Sequence, residues 1–271
     1  MERAPDLRVL SLGAGVQSST LLLMILDGDL ERPDCAIFAD TGWEPRATYQ
    51  HLDWLESQCR VADLPLYRVS SGDIRHDALN GTNHERMSLP LYTDSGGKGG
   101  RLLRKCTTIY KIDPITQKIR QLLGVQPRQR VTAHVEQWLG ISLDEVYRMK
   151  NNRLPWATNR YPLIDKRMTR WDCLLWLESR GYPRPPKSAC IGCPFHADSY
   201  WRQLRDTHPD EWADAVSFDH RIRHSAAGAK YPVFLHRSLR PLDQVDLSTP
   251  QEHGQLTFND FTEECEGMCG V

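Results

Sequence analysis

The sequence LRVLSLGAGVQSS, residues 7–19, decides the fold. Four of the six residues of Leu7–Leu12 are large and apolar, which favours a buried strand. Gly13-Ala14-Gly15 ends that strand, and the run from Ser18 to Leu26 has helical spacing. Small residues at such a turn let the backbone approach a ligand, and a helix start offers unbonded N–H groups to an anion. The stretch therefore predicts a strand–loop–helix unit that binds phosphate or pyrophosphate.

Strand and helix patterns then alternate along the chain. Asp34–Ala39 and Leu66–Val69 have the composition of buried strands, and Pro45–Cys59 between them has helical periodicity. Such alternation predicts an α/β fold: an open, mainly parallel sheet with helices on both faces, followed by a C-terminal extension of helices and irregular segments. Later elements are expected as a strand at Arg130–His134 and helices at Thr108–Leu123, Leu143–Met149, Thr169–Arg180, Asp198–Arg205 and Pro209–Ile222.

The organisation predicted from this pattern has two parts. Residues 1–150 are expected to form the nucleotide-binding α/β domain, and residues 151–271 a cysteine-bearing region that ends in a cysteine-containing tail. Residues 70–105 are rich in glycine and are expected to form a long mobile loop within the first part. Thr169 with Asp172 three residues later predicts a capping box at a helix start.

Bulk composition limits the class of protein. The 271 residues are 40% hydrophobic and 25% charged, which is enough for a packed core, and the net charge of −1 does not by itself require a nucleic-acid partner. No apolar run approaches the roughly 18 residues of a membrane span. The first residues also lack a signal-peptide pattern. We therefore expect a cytoplasmic protein without a membrane partner, whose eight cysteines are reduced or bound to metal.

A second polar strand end supports the ligand site. Asp40-Thr41-Gly42 follows the second strand, and the carboxyl ends of parallel strands meet at one edge of a sheet. The loop is not a Walker A motif, since the Gly-Lys-Ser/Thr ending is absent, and a tight turn that merely requires glycine is the alternative. The residues predicted to bind the nucleotide are Ser11, Gly13, Ala14, Gly15, Gln17, Ser18, Ser19, Asp40, Thr41 and Gly42.

Two cysteines, Cys190 and Cys193, have the spacing of a two-thiol clamp, and Pro194 follows them. Such a pair can hold zinc, part of an iron–sulfur cluster or a redox-active disulfide. Cys106 and His196 are the candidates for further ligands. From the residues alone, a cluster, a zinc ion and a metal-free thiol site all stay open. Three other cysteines are expected in the core: Cys35, Cys59 and Cys173.

The order of these features resembles the adenine nucleotide alpha hydrolase superfamily, in its iron–sulfur-containing branch. That superfamily includes the PP-loop ATP pyrophosphatases and the sulfonucleotide (PAPS/APS) reductases. The resemblance extends from about Leu7 to His196. Its matching segments are the loop at Gly13–Ser19, Asp40-Thr41-Gly42, the stretch Arg104–Pro114 with Cys106 and Lys111, the stretch Gly140–Arg148 with Glu145, Tyr161-Pro162-Leu163 and the pair Cys190/Cys193.

The resemblance implies an adenine nucleotide as ligand, either ATP with Mg²⁺ or another nucleotide. It also implies a [4Fe–4S] cluster on Cys106, Cys190 and Cys193, with Lys111 and Arg148 stabilising charge on the phosphates. The loop departs from the family's pyrophosphatase form, Ser-Gly-Gly-x-Asp-Ser, because Gly13 replaces the leading serine and Gln17 stands at the acidic position. This form is closer to that of the sulfonucleotide reductases, and the loss of the acidic residue puts ATP hydrolysis in question.

Three functional hypotheses follow. The first is an enzyme that adenylates an acceptor with ATP and transfers sulfur to it from a sulfur donor, the acceptor being a nucleic acid or a small molecule. The second is a sulfonucleotide reductase in which Cys265 or Cys269 attacks the substrate sulfur and a thiol reductant protein regenerates the enzyme. Acidic neighbours would raise the pKa of these tail thiols and so oppose that role. The third is a non-enzymatic nucleotide sensor that carries a cluster.

A group of basic residues is relevant to the identity of the sulfur acceptor. If these side chains face the cleft, they can hold a nucleotide tail or a nucleic-acid backbone by charge and forked hydrogen bonds. A solvated surface with compensating acids is the alternative. The group consists of Arg148, Lys150, Arg153, Arg160, Lys166 and Arg167.

Overall fold

The computed structural model describes residues 4–81, 89–94, 99–226 and 228–248. Their contacts divide the chain into two compact units, the first built from the residues up to 71 and from 107–188, the second from 72–106 and the residues after 188. Each unit is thus assembled from separate stretches, whereas the sequence suggested two consecutive parts, 1–150 and 151–271. Within the described residues, no helix combines the length and apolar character that a membrane crossing requires.

The described residues contain eight strands in two sheets. The first unit holds a five-stranded sheet of order β3-β2-β1-β6-β7, and the second holds a three-stranded sheet of order β5-β4-β8. In chain order the strands are β1 Leu7–Leu12, β2 Cys35–Asp40, β3 Leu66–Ser70, β4 Tyr92–Asp94, β5 Gly99–Arg101, β6 Val135–Leu139, β7 Ala157–Arg160 and β8 Val233–Phe234.

Eight α-helices accompany these strands in the same described ranges. A π-helix at Thr108–Ile112 and 3-10 helices at Leu143–Arg148 and Leu242–Gln244 complete the helical segments. The α-helices are α1 Val16–Leu26, α2 Arg46–Val61, α3 Ile74–Asn80, α4 Asp113–Leu122, α5 Pro162–Asp165, α6 Arg170–Ser179, α7 Asp198–Thr207 and α8 Pro209–Ile222.

The five-stranded sheet is parallel throughout, which confirms the predicted α/β class. β1 is its central strand, and Leu10 pairs with Ala36 of β2 on one side and with Trp138 of β6 on the other. The strand order therefore reverses at β1. In open parallel sheets such a switch point opens a crevice at the carboxyl ends of the strands, where ligands bind.

Helices cover both faces of this sheet, as predicted. Successive side chains of a strand point to opposite faces, so Val9 and Leu10, both fully buried, belong to different clusters. Leu10 lies in the cluster that includes residues of α1, α2 and α6, while Val9 lies in the cluster that includes residues of α4. Burial on both sides explains why these strands read as nearly continuous apolar runs.

The strand predicted at Arg130–His134 is wrong, because the chain enters the sheet only at Val135. Two polar residues, Glu136 and Gln137, interrupt the apolar pattern of β6, and both form hydrogen bonds. The Gln137 amide donates to Ser11 Oγ at 2.7 Å, and Trp138 Nε1 donates to Glu136 Oε1 at 2.7 Å. The sequence also missed β7, whose residues Ala157–Arg160 are mostly polar because it is an edge strand.

In the stretch 70–105, where the glycines predict a long mobile loop, the structure describes residues 70–81, 89–94 and 99–105. Its described parts form α3 and the antiparallel pair β4–β5, and β4 also pairs with β8. Within the second unit, Arg75 of α3 forms an ion pair with Asp214 of α8 at 2.7 Å. The predicted capping box of α6 is confirmed, since Thr169 Oγ1 accepts the Asp172 N–H and the Asp172 carboxylate accepts the Thr169 N–H.

Candidate functional site

The loop at the switch point ends at a helix start whose first backbone N–H groups have no acceptor within the helix. Gly15 is the N-cap of α1, and the first helical hydrogen bond runs from the Ser19 N–H to the Gly15 carbonyl at 2.9 Å. The N–H groups of Val16, Gln17 and Ser18 precede that bond and so have no acceptor within the helix. No acidic side chain lies in the first turn. The helix start therefore carries a partial positive charge suited to an anion.

The loop holds itself in shape. Ala14 has a φ of 56°, in the left-handed region, and its side chain is buried. Ser18 Oγ accepts the Gly13 N–H at 3.1 Å, and the Ser188 hydroxyl donates to the Gly13 carbonyl. The predicted ligand Ser18 thus shapes the loop with its hydroxyl.

A close backbone contact fixes the loop against the neighbouring strand. Gly140 follows β6, and a Cβ added to it would lie 2.8 Å from both Cα and N of Ser18 and 3.1 Å from the carbonyl carbon of Gln17. Only glycine fits there without a shift of one backbone. This contact brings the segment after β6 to the start of α1.

Gln17 belongs to a buried network across this contact. Its amide Nε2 donates to Glu145 Oε2 at 3.2 Å and to Ser142 Oγ at 3.4 Å, and its Oε1 accepts from Arg170 at 3.1 Å. Glu145 in turn forms a close ion pair with Arg148. An amide can donate and accept at the same time, whereas an Asp at this position would face the Glu145 carboxylate. The neighbours of Gln17 therefore account for its departure from the acidic pattern.

Asp40-Thr41-Gly42 forms the second wall at the end of β2. Asp40 Oδ1 accepts the Gly42 N–H and the Tyr49 hydroxyl, both at 2.8 Å. Burial, together with this bond to Asp40, raises the pKa of the Tyr49 hydroxyl. The Thr41 hydroxyl donates to Glu44 Oε1 at 3.1 Å. Lys111, predicted to act on phosphate charge, lies on the π-helix with its Nζ 3.5 Å from the same buried Glu44 oxygen.

Ser19 is held by a histidine that the sequence did not indicate. Ser19 Oγ and His51 Nε2 share a hydrogen bond of 2.9 Å, and the His51 ring stacks on Trp54 with centroids 5.5 Å apart. Burial lowers the pKa of His51 to about 4, so the ring is neutral near pH 7. The pair locks the first turn of α1 to α2, and the Ser19 hydroxyl is already bonded within the protein.

The cysteine pair of the second unit lies on a turn. The Cys190 carbonyl accepts the Cys193 N–H at 3.0 Å and the His196 ring Nε2–H at 2.8 Å. Both thiols are partly exposed, while His196 is buried and stacks on Tyr200 with centroids 3.7 Å apart. His196, considered from the sequence as a ligand, thus uses one ring nitrogen to support the turn.

The described residues do not show the predicted metal ligands brought together. In the ranges that the structure covers, no group of three or more His, Cys, Asp or Glu side chains could hold a metal ion. Cys106, Cys190 and Cys193 all belong to the second unit and are partly exposed, but they do not form such a group. The predicted catalytic cysteines, Cys265 and Cys269, lie outside the described residues.

The remaining cysteines are core residues, as predicted. Cys35, Cys59 and Cys173 are buried. Burial raises the pKa of their thiols to about 12, about 11 and about 12 respectively, which keeps them protonated.

The structure gathers the predicted nucleotide ligands at the carboxyl edge of one sheet. Ser11, the Gly13–Ser19 segment and Asp40–Gly42 follow or end adjacent strands, and Lys111 and Arg148 contact the acids beside them. In the sequence, only the family resemblance indicates that the segment Gly140–Arg148 belongs to this site. The residues that sequence reasoning missed are Glu44, His51, Arg170 and Ser188, and none of them stands in a recognisable motif.

Comparison with known proteins gives one family match. Residues 8–127 match the model of the phosphoadenosine phosphosulfate reductase domain. No curated protein sequence matches the chain. Among solved structures, the chain is similar to the U34-tRNA thiolase NcsA from Methanococcus maripaludis with its [4Fe-4S] cluster, at 13% identity over 84% of this chain and 76% of that one, with a TM-score of 0.44.

The contact at Gly140 predicts the effect of adding one methyl group. Gly140→Ala should lower the free energy of unfolding by about 1–3 kcal/mol, because the methyl group must displace backbone. Urea unfolding measures this loss. Gly99→Ala is the control, since its Cβ would lie 4.0 Å from the nearest atom. Equal losses in the two variants would contradict the close approach.

Burial of neutral His51 predicts a pH-dependent contribution to stability. Above the unfolded pKa of about 6.5 the ring is neutral in both states and its contribution is complete. As the pH falls towards about 4, the unfolded chain takes up a proton that the folded chain excludes, so the contribution is lost. Urea unfolding of the wild type and of His51→Gln should therefore differ most near neutral pH and least as the pH approaches about 4. A difference that grows on acidification would show that His51 is charged in the folded state.

Proposed function

Since residues 8–127 place the chain in the PP-loop and PAPS reductase-like superfamily, we propose that it is an adenine-nucleotide-binding enzyme of sulfur metabolism. Its reaction is ATP-dependent adenylation of an acceptor followed by sulfur transfer. The observation that carries this proposal is the loop at the switch point. Three N–H groups at the start of α1, with no acidic side chain in the first turn, form a cradle for the phosphates of a nucleotide.

The proposed chemistry has two displacements. An oxygen of the acceptor attacks the α-phosphorus of ATP, the bond to the β-phosphate oxygen breaks, and pyrophosphate leaves. The oxygen now carries AMP and is a good leaving group. A hydrosulfide ion from a sulfide donor then attacks the acceptor carbon, a C–S bond forms as the C–O bond breaks, and AMP departs with the oxygen. The loop N–H groups would hold the phosphates and stabilise the charge that develops on pyrophosphate.

The two cations at this edge have carboxylate neighbours. Lys111 lies beside Glu44 and Arg148 beside Glu145, and all four side chains are largely buried. A cation held in place by a buried carboxylate is already oriented when a phosphate arrives, which supports the role proposed for both in stabilising phosphate charge. Thr41 contributes by donating to Glu44 and fixing that carboxylate.

A second candidate is reduction of a sulfonucleotide. The description of the matching family model and the presence of Gln17 favour it. In this reaction a thiolate, Cys265 or Cys269, attacks the sulfur of the phosphosulfate, and the adenosine phosphate leaves. A thiol reductant protein then releases sulfite and takes up the resulting disulfide. The same loop would hold the nucleotide in both reactions.

The cysteines of the second unit complete the proposal. We keep Cys106, Cys190 and Cys193 as proposed ligands of a [4Fe–4S] cluster, although the described residues do not bring three ligands together. Three thiolates suit such a cluster by their chemistry, and a fourth position is either open or filled by a tail cysteine. No step of the proposed reaction is routed through the cluster.

Nucleotide chemistry separates the two candidates. With ATP and acceptor, the first predicts pyrophosphate and AMP in equal amounts; with PAPS or APS and a thiol reductant, the second predicts sulfite.

Ser18→Ala should weaken nucleotide binding about fivefold by calorimetry, because the loop loses a hydrogen bond worth about 1 kcal/mol. Ser179→Ala also removes one serine hydrogen bond, from the Ser179 hydroxyl to the Trp176 carbonyl in α6, and should bind nucleotide like the wild type. A chain that binds none of these nucleotides would refute the proposed function.

Metal analysis tests the cysteines without an activity assay. Protein purified without oxygen should contain iron and acid-labile sulfide, and Cys106→Ser, Cys190→Ser and Cys193→Ser should each lower both. Cys59→Ala changes a buried thiol of the first unit and should leave the iron content unchanged. A colourless protein with zinc or without metal would contradict the cluster.

A further inference from the structure

The exposed apolar side chains are concentrated in one part of the first unit. Nine large apolar residues of the described chain are exposed, and six of them lie between residues 143 and 175. Monomeric proteins rarely leave such residues grouped without a role in recognition. We define the 143–175 surface by these six residues: Leu143, Val146, Tyr147, Met149, Trp171 and Leu175.

Hydrogen bonds hold the two halves of this surface together. The Leu143 N–H donates to the Met168 carbonyl at 2.8 Å, and the Arg170 N–H donates to Asp144 Oδ1 at 3.0 Å. The 3-10 helix is therefore adjacent to the start of α6. Trp171 and Leu175 are four residues apart on α6, so they share one helix face.

The charge of this segment favours a polyanionic binding partner over a protein partner with an apolar surface. Residues 143–175 contain seven basic and four acidic residues, although the whole chain has a net charge of −1. The acids are engaged locally; Glu145, for example, pairs with Arg148, and Asp165 lies near Arg160. Arg153, Lys166 and Arg167 are exposed and form no ion pair with any carboxylate of the described chain.

The aromatic residues add a second kind of contact. Tyr147 is 75% exposed and Trp171 59% exposed, and both belong to the two hydrogen-bonded elements. Exposed aromatic rings beside cations are the contacts by which proteins bind single strands, because bases stack on the rings while the cations follow the phosphates. A protein partner would not require the three unpaired cations.

The surface adjoins the nucleotide loop through the 3-10 helix itself. Glu145 and Arg148, on the same helix as Tyr147, are buried in the network with Gln17. A helix with its side chains is about 10 Å across, so a base on Tyr147 would lie on the order of 10 Å from that network.

We propose that the 143–175 surface binds a single-stranded segment of a nucleic acid, which is the sulfur acceptor. The role of the bound strand as sulfur acceptor rests on the proposed function, whereas binding of the strand can be measured without it. It selects nucleic acid from the two acceptor classes left open above.

Fluorescence anisotropy with the full chain and a labelled RNA of about 12 nucleotides, within the site sizes of single-strand binders, tests the surface. Tyr147→Ala with Trp171→Ala should weaken RNA binding about tenfold or more, because the variant lacks the two aromatic rings on which bases would stack. Arg153→Gln with Lys166→Gln and Arg167→Gln should lower the slope of log K against log salt by about 2, at about 0.7 per phosphate contact. DNA of the same sequence and a paired RNA hairpin show whether the 2′-hydroxyl and an unpaired strand are required.

The matched control changes three exposed cations at the opposite, amino-terminal edge of the sheet. Arg60→Gln with Arg128→Gln and Arg130→Gln carries the same charge change, since Arg60 ends α2 and the other two precede β6. It should keep the wild-type salt slope. If both triple variants lose the same slope, or if the aromatic variant binds RNA like the wild type, the proposal is overturned. A wild-type dimer that Tyr147→Ala with Trp171→Ala converts to monomer, with RNA binding unchanged, would instead assign the surface to a second copy.

Calorimetry with ATP separates this inference from the proposed function. Nucleotide binding by the aromatic variant should equal that of the wild type, since neither ring contacts the loop network. A chain that binds RNA through these residues but no adenine nucleotide would retain the surface and refute the proposed function. A chain that binds ATP but no nucleic acid would refute the surface alone.

Discussion

The close approach of Gly140 to the start of α1 is the constraint on which the rest of the proposed nucleotide site depends. Hydrogen bonding of β6 to β1 places Leu139 opposite Ser11, so the chain leaves both strands at the same level. There is no room for a side chain between the two backbones. Because of this contact, Ser142 and Glu145 reach Gln17, and the loop is supported from the side that faces away from β2.

Two buried carboxylate–cation pairs follow the strands on either side of β1. Glu44 with Lys111 lies after β2, and Glu145 with Arg148 lies after β6. Each pair is close to neutral, so the partial positive charge at this edge comes mainly from the N–H groups at the start of α1. Removing one member of such a pair would leave an uncompensated buried charge, which is costly. The pairs therefore shape the electrostatics of the edge as well as its packing.

The parts of the fold set by local pattern were predictable. β1 and the polar end of β2 follow from apolar runs that stop at glycine, and α8 begins at Pro209 as expected. β6 was misplaced because Glu136 and Gln137 make it look polar, and only tertiary partners reveal why they are tolerated. Ser188 meets Gly13 across 175 positions of sequence, and no local signal can indicate such a contact. The proposed cysteine ligands share this difficulty, since the spacing of Cys190 and Cys193 within one turn says nothing about where Cys106 lies.

Ala14 adds a consequence for how a nucleotide would be bound. Its left-handed backbone is strained for a residue with a side chain, yet its methyl group is buried in the core cluster beneath the sheet's first helix. The methyl anchors the turn, so the loop does not have to become ordered when an anion arrives. Binding to a preorganised cradle loses little conformational entropy, and more of the interaction with the phosphates then appears as affinity. The strain at Ala14 is thus the cost of a loop that is ordered before a nucleotide binds.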